Sequence, residues 1–247
     1  MIDAKSQKKL LNPVDKKKNV QYNIPDWVNG IEWGYSLKHT SKFKIRLSVS
    51  QKFKSLNSCR NSFMFCGFDD WEKALVLIKT RKGVYEDFLQ CKPYIDFEYL
   101  IPWDLYQESK ISHDAERERR FNLLNNAVIS VVNLMMPGSK PMIAQSHGKV
   151  HKNLNSFMKI SYHFVVNGNH RFNSSCDAKQ FADAVASKLK ESGRDGEAIA
   201  QFIDYSVYKK DPWSLQKFRC IGSYKSFDDR RMLEAIDENQ VVIPFNS

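Results

Sequence analysis

The sequence predicts an α+β fold, and three observations predict it. Apolar and polar residues alternate with period two in Phe43–Val49, Tyr94–Leu100 and Phe157–Val166, the signature of half-buried strands. One long segment, from about His113 to Met136, repeats its apolar residues at helical spacing: Phe121, Leu124, Val128, Val131, Val132 and Met135. The order strand, long helix, strand, strand, helix, strand fits helices packed on an antiparallel or mixed sheet.

The elements follow in chain order. Residues 1–20 are polar and basic, with Lys16-Lys17-Lys18 as a charge run, and read as an arm. Phe43, Ile45, Leu47 and Val49 alternate with Lys44, Arg46 and Ser48 as a strand, and Ser62–Phe68 reads as another. Asp69-Asp70-Trp71-Glu72 supplies the acidic first turn of a helix to about Lys79. The long helix after Tyr94–Leu100 is stopped by Pro137-Gly138. Pro141–Ser146 is a short strand and His147–Asn155 a polar loop, in which no apolar alternation fixes Ser146-His147-Gly148 or His151. After the strong strand Phe157–Val166, Ser174–Asp177 can cap a helix to about Glu191, ended by Gly193. A shorter helix covers Gly196–Phe202, and Asp204–Tyr208 and Phe218–Ser223 read as closing strands.

Charge points to a polyanion. The 247 residues carry 38 Lys and Arg against 28 Asp and Glu, a net charge of +10. Such an excess gains affinity for nucleic acid or nucleotides by releasing their counterions. The five cysteines (Cys59, Cys66, Cys91, Cys176, Cys220) form no CxxC pair. That favours reduced thiols in an intracellular protein over a disulfide framework or a structural zinc. No apolar run approaches the ~18 residues of a membrane span, and no apolar stretch follows the lysine-rich N-terminus, so the chain reads as neither secreted nor membrane-spanning.

The candidate site begins with Asp96 and Glu98. Alternation turns both to one face of their strand while Ile95, Phe97 and Tyr99 turn to the other. Spaced by about 6.6 Å, the two charges repel by about 2.5 kcal/mol at an effective dielectric of ~20. A divalent cation is the commonest compensation, and a solvated sheet face with ordinary surface acids is the plainer reading. On Phe157–Val166 the face opposite Ile160, Tyr162 and Phe164 presents Lys159, Ser161 and His163, three donors suited to phosphate oxygens or simply a wet edge. Asp204 follows the apolar pair Phe202-Ile203, where a turn aspartate would also be ordinary. Lys209, Lys210, Lys217, Arg219 and Lys225 then interleave with Trp213, Phe218 and Tyr224, a pattern suited to phosphates and bases. Three carboxylates can clamp two Mg²⁺ or Mn²⁺ ions that activate a 3′-hydroxyl and stabilise leaving pyrophosphate.

Asp96-Phe97-Glu98, then Ser161-Tyr162-His163, then Ile203-Asp204 resemble, in order, the DxE, SxH and hD motifs of the archaeo-eukaryotic primase superfamily. The likeness is to its PrimPol and herpesvirus–poxvirus branch, whose third motif continues as Asp-x-x-Val-Tyr with a later Phe-Arg and Lys; here these are Val207-Tyr208, Phe218-Arg219 and Lys225. It spans roughly Cys59 to Ser226. The resemblance implies an RRM-like catalytic sheet (about 93–240) packed with an N-terminal α/β unit (about 21–92), within one primase-polymerase domain over 21–247. Asp96, Glu98 and Asp204 would be metal ligands and catalytic; Lys159, Ser161, His163, Arg219, Lys225 and Arg60 would bind the nucleotide. It implies template-directed nucleotidyl transfer from NTPs or dNTPs on single-stranded DNA, with two Mg²⁺ or Mn²⁺ ions, in replication or damage tolerance. Primer–template duplex and a replicative helicase are the further partners implied. The segment Asp211–Gln216 lengthens the loop after Val207-Tyr208, and neither a zinc-binding region nor a helicase follows, as in an excised domain or a minimal member. Three rivals stay open: a primer-extending or end-joining polymerase, an inactive RRM-like single-strand binder, and a rolling-circle nicking enzyme, whose His-hydrophobic-His triplet is missing.

Overall fold

The structure, a computed structural model, describes residues 14–15, 20–21, 32–34, 45–55, 58–80, 84–88, 91–152, 154–211, 216–224 and 231–244. Lys16-Lys17-Lys18 and Lys225 lie outside the described residues. The chain divides into two units of mixed α and β structure: Met1–Asp87 with Lys217–Asp228, and Phe88–Gln216 with Asp229–Ser247.

In the first unit, β1 (Val14–Asp15) pairs with β2 (Val20–Gln21). A five-stranded sheet has β3 (Glu32–Gly34), β4 (Ile45–Ser55), β5 (Ser58–Phe68), β6 (Val84–Phe88) and β11 (Gln216–Arg219) in the order β11-β6-β4-β5-β3. Helix α1 (Trp71–Thr80) starts where the Asp70 carboxylate accepts the Lys73 N–H at 3.1 Å. Its Ala74, Leu77 and Ile78, at i, i+3 and i+4, share a core with Ile45, Leu47, Cys66, Phe68 and Val84. The closing strand expected over Phe218–Ser223 ends at Arg219. Beyond it the chain turns, because Ser223 N–H bonds Cys220 O while the Ser223 hydroxyl accepts the Val84 N–H at 2.8 Å.

The second unit holds β7 (Tyr94–Pro102), α2 (Trp103–Glu108), α3 (Lys110–Met135), β8 (Lys140–Gln145), β9 (Gly148–Lys152), β10 (Asn155–Asn167), α4 (Ser175–Lys190), α5 (Arg194–Ala200) and β12 (Glu234–Ile236). Its five-stranded antiparallel sheet runs β12-β8-β10-β7, with β9 also on β10. Outside β7 the segment 202–204 adds a short antiparallel rung: Glu98 N–H bonds Phe202 O at 2.9 Å and Asp204 N–H bonds Asp96 O at 2.8 Å.

One face of this sheet is covered by helices. The α3 stripe Phe121, Leu124, Val128, Val131 and Val132 is buried, and the Phe121 ring lies 4.9 Å from Tyr162 and 6.1 Å from Phe164. Helix α4 opens on the expected cap: Ser174 Oγ accepts the Asp177 N–H at 3.1 Å and donates to its carboxylate at 2.8 Å. Gly196 lets α5 approach α4, since a Cβ there would meet Leu189 O at 1.8 Å.

Three local expectations change. Trp103–Glu108 forms a helix of its own, and the long helix starts at Lys110. The polar stretch after His147 contains β9, ordered by backbone pairing with β10 rather than by an apolar face. Asp204–Tyr208 is a 3₁₀ turn over Tyr205–Val207 instead of a strand, because the Asp204 carboxylate accepts the Ser206 N–H at 2.8 Å and bends the chain. Among the described residues, no helix is long and apolar enough to cross a membrane. Among the described residues Cys66, Cys91, Cys176 and Cys220 form no disulfide, and burial pushes the Cys91 thiol up to about 12.

Candidate metal and phosphate site

Strand alternation places the acids. Ile95, Phe97 and Tyr99 are buried against the helices, so Asp96 and Glu98 occupy the opposite face of β7, partly open to solvent. On β10, Ile160, Tyr162 and Phe164 are likewise buried, and Lys159, Ser161 and His163 take the other face. Register then joins the two sets. Ser161 stands opposite Glu98 and His163 opposite Asp96, and directly opposed residues of an antiparallel pair share a face.

The contacts follow from that register. His163 Nε2 lies 3.6 Å from Asp96 Oδ1. Lys159, opposite Leu100, reaches diagonally and donates from Nζ to Glu98 Oε2. The third acid arrives by a main-chain bond, since Asp204 N–H to Asp96 O sets its Cα beside β7. Asp96, Glu98 and Asp204 each offer an oxygen within 4.8 Å of the others. Two carboxylates at that separation repel by about 3.5 kcal/mol at an effective dielectric of ~20. Lys159 lies on Glu98 and His163 beside Asp96, so the three acids are gathered among donors on one sheet face. The donor set is all carboxylate oxygen with no sulfur, which fits a hard divalent cation, and the group can hold a metal ion.

The turn carrying Asp204 is pinned from behind. The Tyr208 ring stacks on Tyr94 at 4.8 Å and 15°, and its hydroxyl donates to Tyr94 O at 2.5 Å. Tyr94 Oη in turn donates to Val207 O at 3.2 Å and shares a 2.9 Å hydrogen bond with the Ser175 hydroxyl. Burial pushes both phenols up, so they stay protonated donors. The Val207-Tyr208 pair therefore acts mechanically, fixing the turn that aims Asp204.

Sequence reasoning misses His147. It sits at the seam where β10 passes from β8 to β9, and its Nδ1 accepts the Ser161 N–H at 3.1 Å. Ser146 N–H donates to Ser161 O at 3.0 Å, so a backbone group and an imidazole together complete the ladder at Ser161. Burial first, then Arg117 and Arg231, lowers the His147 pKa to about 3, which keeps Nδ1 an acceptor. Arg231 escapes the sequence as well. Its stem lies where a Cβ on Gly148 would be, 2.9 Å from Cδ, and its guanidinium donates to Ser146 O at 3.0 Å. Gly148 stands opposite Lys159, so the residue without a side chain is what admits Arg231 there. The nearest sequence signal is the Ser146-His147-Gly148 triplet, but nothing in periodicity marks a side chain that replaces a strand.

Of the predicted residues, Asp96, Glu98, Asp204, Lys159, Ser161 and His163 come together in the second unit. Arg219, buried at the end of β11, belongs to the first unit, as does Arg60 in β5, whose side chain is outside the described residues. Lys225 is also outside them. No protein-family model and no curated protein matches the chain.

Proposed function

We propose that this chain is a metal-dependent primase-polymerase domain of the archaeo-eukaryotic type, joining nucleotides on a single-stranded DNA template. The observation that carries it is one of register: the Lys159/Ser161/His163 row stands across from Asp96 and Glu98, with Asp204 delivered to the same face. The topology supports the reading too. β7, α3, β8, β10, α4 and the segment 202–204 follow a β-α-β-β-α-β order, and their spatial order 202–204, β7, β10, β8 suits an RRM-like catalytic sheet.

In this reading Asp96, Glu98 and Asp204 hold Mg²⁺ or Mn²⁺. Bound there, the ions would lower the pKa of the attacking 3′-hydroxyl and neutralise charge on the leaving pyrophosphate. Ser161 and His163 donate to phosphate oxygens of the incoming nucleotide, and a rigid central strand keeps them in line. Lys159, which donates to Glu98, would be free to turn to a phosphate if Glu98 ligated a metal. The backing by Phe97, Tyr162 and Phe121 keeps both rows still.

The test is synthesis on unprimed single-stranded DNA with NTPs or dNTPs and Mn²⁺ or Mg²⁺. Wild type is expected to make product, and Asp96→Ala to lose at least about a hundredfold, the scale of a lost transition-state charge contact. Equal product from both would remove the metal-ligand assignment. Product only when a primer is supplied would leave a primer-extending polymerase.

A further inference from the structure

The face that carries the acids does not end at Lys159. Pairing of β10 with β7 sets Phe157 opposite Pro102, next to the Lys159–Leu100 pair, and pairing with β9 sets Phe157 opposite Val150 and Asn155 opposite Lys152. By strand alternation these residues share the face of Ser161 and His163. Phe157, Val150 and Leu100 are half-buried there, and Leu154 at the hairpin tip is fully exposed. The other face of the hairpin is occupied differently, with Lys149 over the Trp103 ring at 4.5 Å and His151 bonded to Ser156 at 3.0 Å.

Two arguments name the occupant. The first is charge: no Asp or Glu occurs between Glu118 and Asp177, so the hairpin has no carboxylate of its own. Its Phe157 face carries Lys152 at the exposed end and Lys159, bonded to Glu98 of β7, at the other. The second is size. One phenyl ring flanked by two aliphatic side chains matches a single nucleobase, and falls far below the ~1,000 Å² that a protein interface needs. An aromatic ring among cations, continuous with a nucleotidyl-transfer site, is how single strands are held without sequence preference.

We propose that the β9–β10 hairpin is a platform for single-stranded nucleic acid, with one base stacked on Phe157 between Val150 and Leu100 and the backbone tracked by Lys152. This rests on the primase-polymerase reading and gives the template strand its place: Phe157 lies about 13 Å along β10 from Ser161.

The probe is a fluorescently labelled oligo(dT) of about a dozen nucleotides, read by anisotropy with the full chain and no divalent metal. Phe157→Ala is expected to weaken binding by about 5- to 150-fold, the range for one lost stacked base. Phe157→Leu, which keeps an apolar packing group, is expected to weaken it similarly, and Phe157→Trp to preserve it. Lys152→Gln should reduce the slope of log affinity against log salt by about 0.7. Circular dichroism and thermal melting confirm that each variant is folded. Wild-type affinity in folded Phe157→Leu would overturn the stacking role. Equal Phe157-dependent competition by a free nucleoside triphosphate would overturn the strand as occupant. Phe157-dependent binding in a protein that makes no product would keep the platform and remove the polymerase reading. Product formation with unaltered oligonucleotide affinity in both variants would do the reverse.

Discussion

In the proposed polymerase, Lys159 is the side chain on which metal and nucleotide would compete. Its ammonium donates to Glu98, so a cation entering the acid cluster must displace it, and a phosphate is the natural new partner. Lys159→Met keeps the apolar stem but removes that competitor. Mn²⁺ measured by calorimetry without nucleotide should then bind about tenfold tighter, the scale of one charged hydrogen bond. The KM for nucleotide should rise in the same variant. Weaker Mn²⁺ binding would instead mean that Lys159 holds Glu98 in place. Sequence alternation is enough to put Lys159, Ser161 and His163 on one face and Asp96 and Glu98 on another. It cannot pair the two faces, because register is a property of the ladder between β7 and β10 and not of either strand.

At the scale of elements, β7, β10 and the capped α4 are legible because their own residues carry the signal: alternation in the strands and Ser174 with Asp177 at the cap. β9 is not, since both of its faces are polar or weakly apolar and its order comes from β10. The turn after Asp204 resembles a strand in sequence because Tyr205, Val207 and Tyr208 favour strands, whereas the Asp204 carboxylate closes a turn. The seam between β8 and β9 yields a pH dependence. The folded His147 pKa is near 3, against about 6.5 in an unfolded chain. Between those values the unfolded state takes up a proton that the fold excludes, so stability falls as pH drops from about 6.5 toward 3 and is unaffected above that window. At pH 5 the loss amounts to about 2 kcal/mol. His147→Gln, whose carbonyl can accept the Ser161 N–H without titrating, should lose that part of the drop. Urea midpoints at pH 7 and 5 for both proteins check it, and equal drops would place the acid sensitivity elsewhere.

At the scale of the whole molecule, the site is assembled from segments far apart in the chain: Asp96 and Glu98 on β7, the row on β10, and Asp204 after α5. Periodicity and element order foretell the α+β class, and motif order foretells which acids converge. The return of Lys217–Asp228 to the first unit is not readable, because it is fixed by bonds such as Val84 N–H to Ser223 Oγ between residues distant in sequence. Bringing three acids together costs the metal-free fold their mutual repulsion, and a bound cation reverses that sign. Mn²⁺ at a hundred times its dissociation constant should stabilise the fold by about 2.7 kcal/mol, or roughly 5–10 °C in Tm for a chain of this length. Asp96→Asn separates a metal clamp from ordinary surface acids. If the clamp is present, the variant gains little from Mn²⁺, because one of the three ligands has lost its charge. Surface acids would leave both melting curves and the Mn²⁺ response unchanged. Thermal melts of the two proteins, each with Mn²⁺ and with chelator, decide between them, and a variant that melts lower and still responds fully to Mn²⁺ would remove Asp96 from the ligand set.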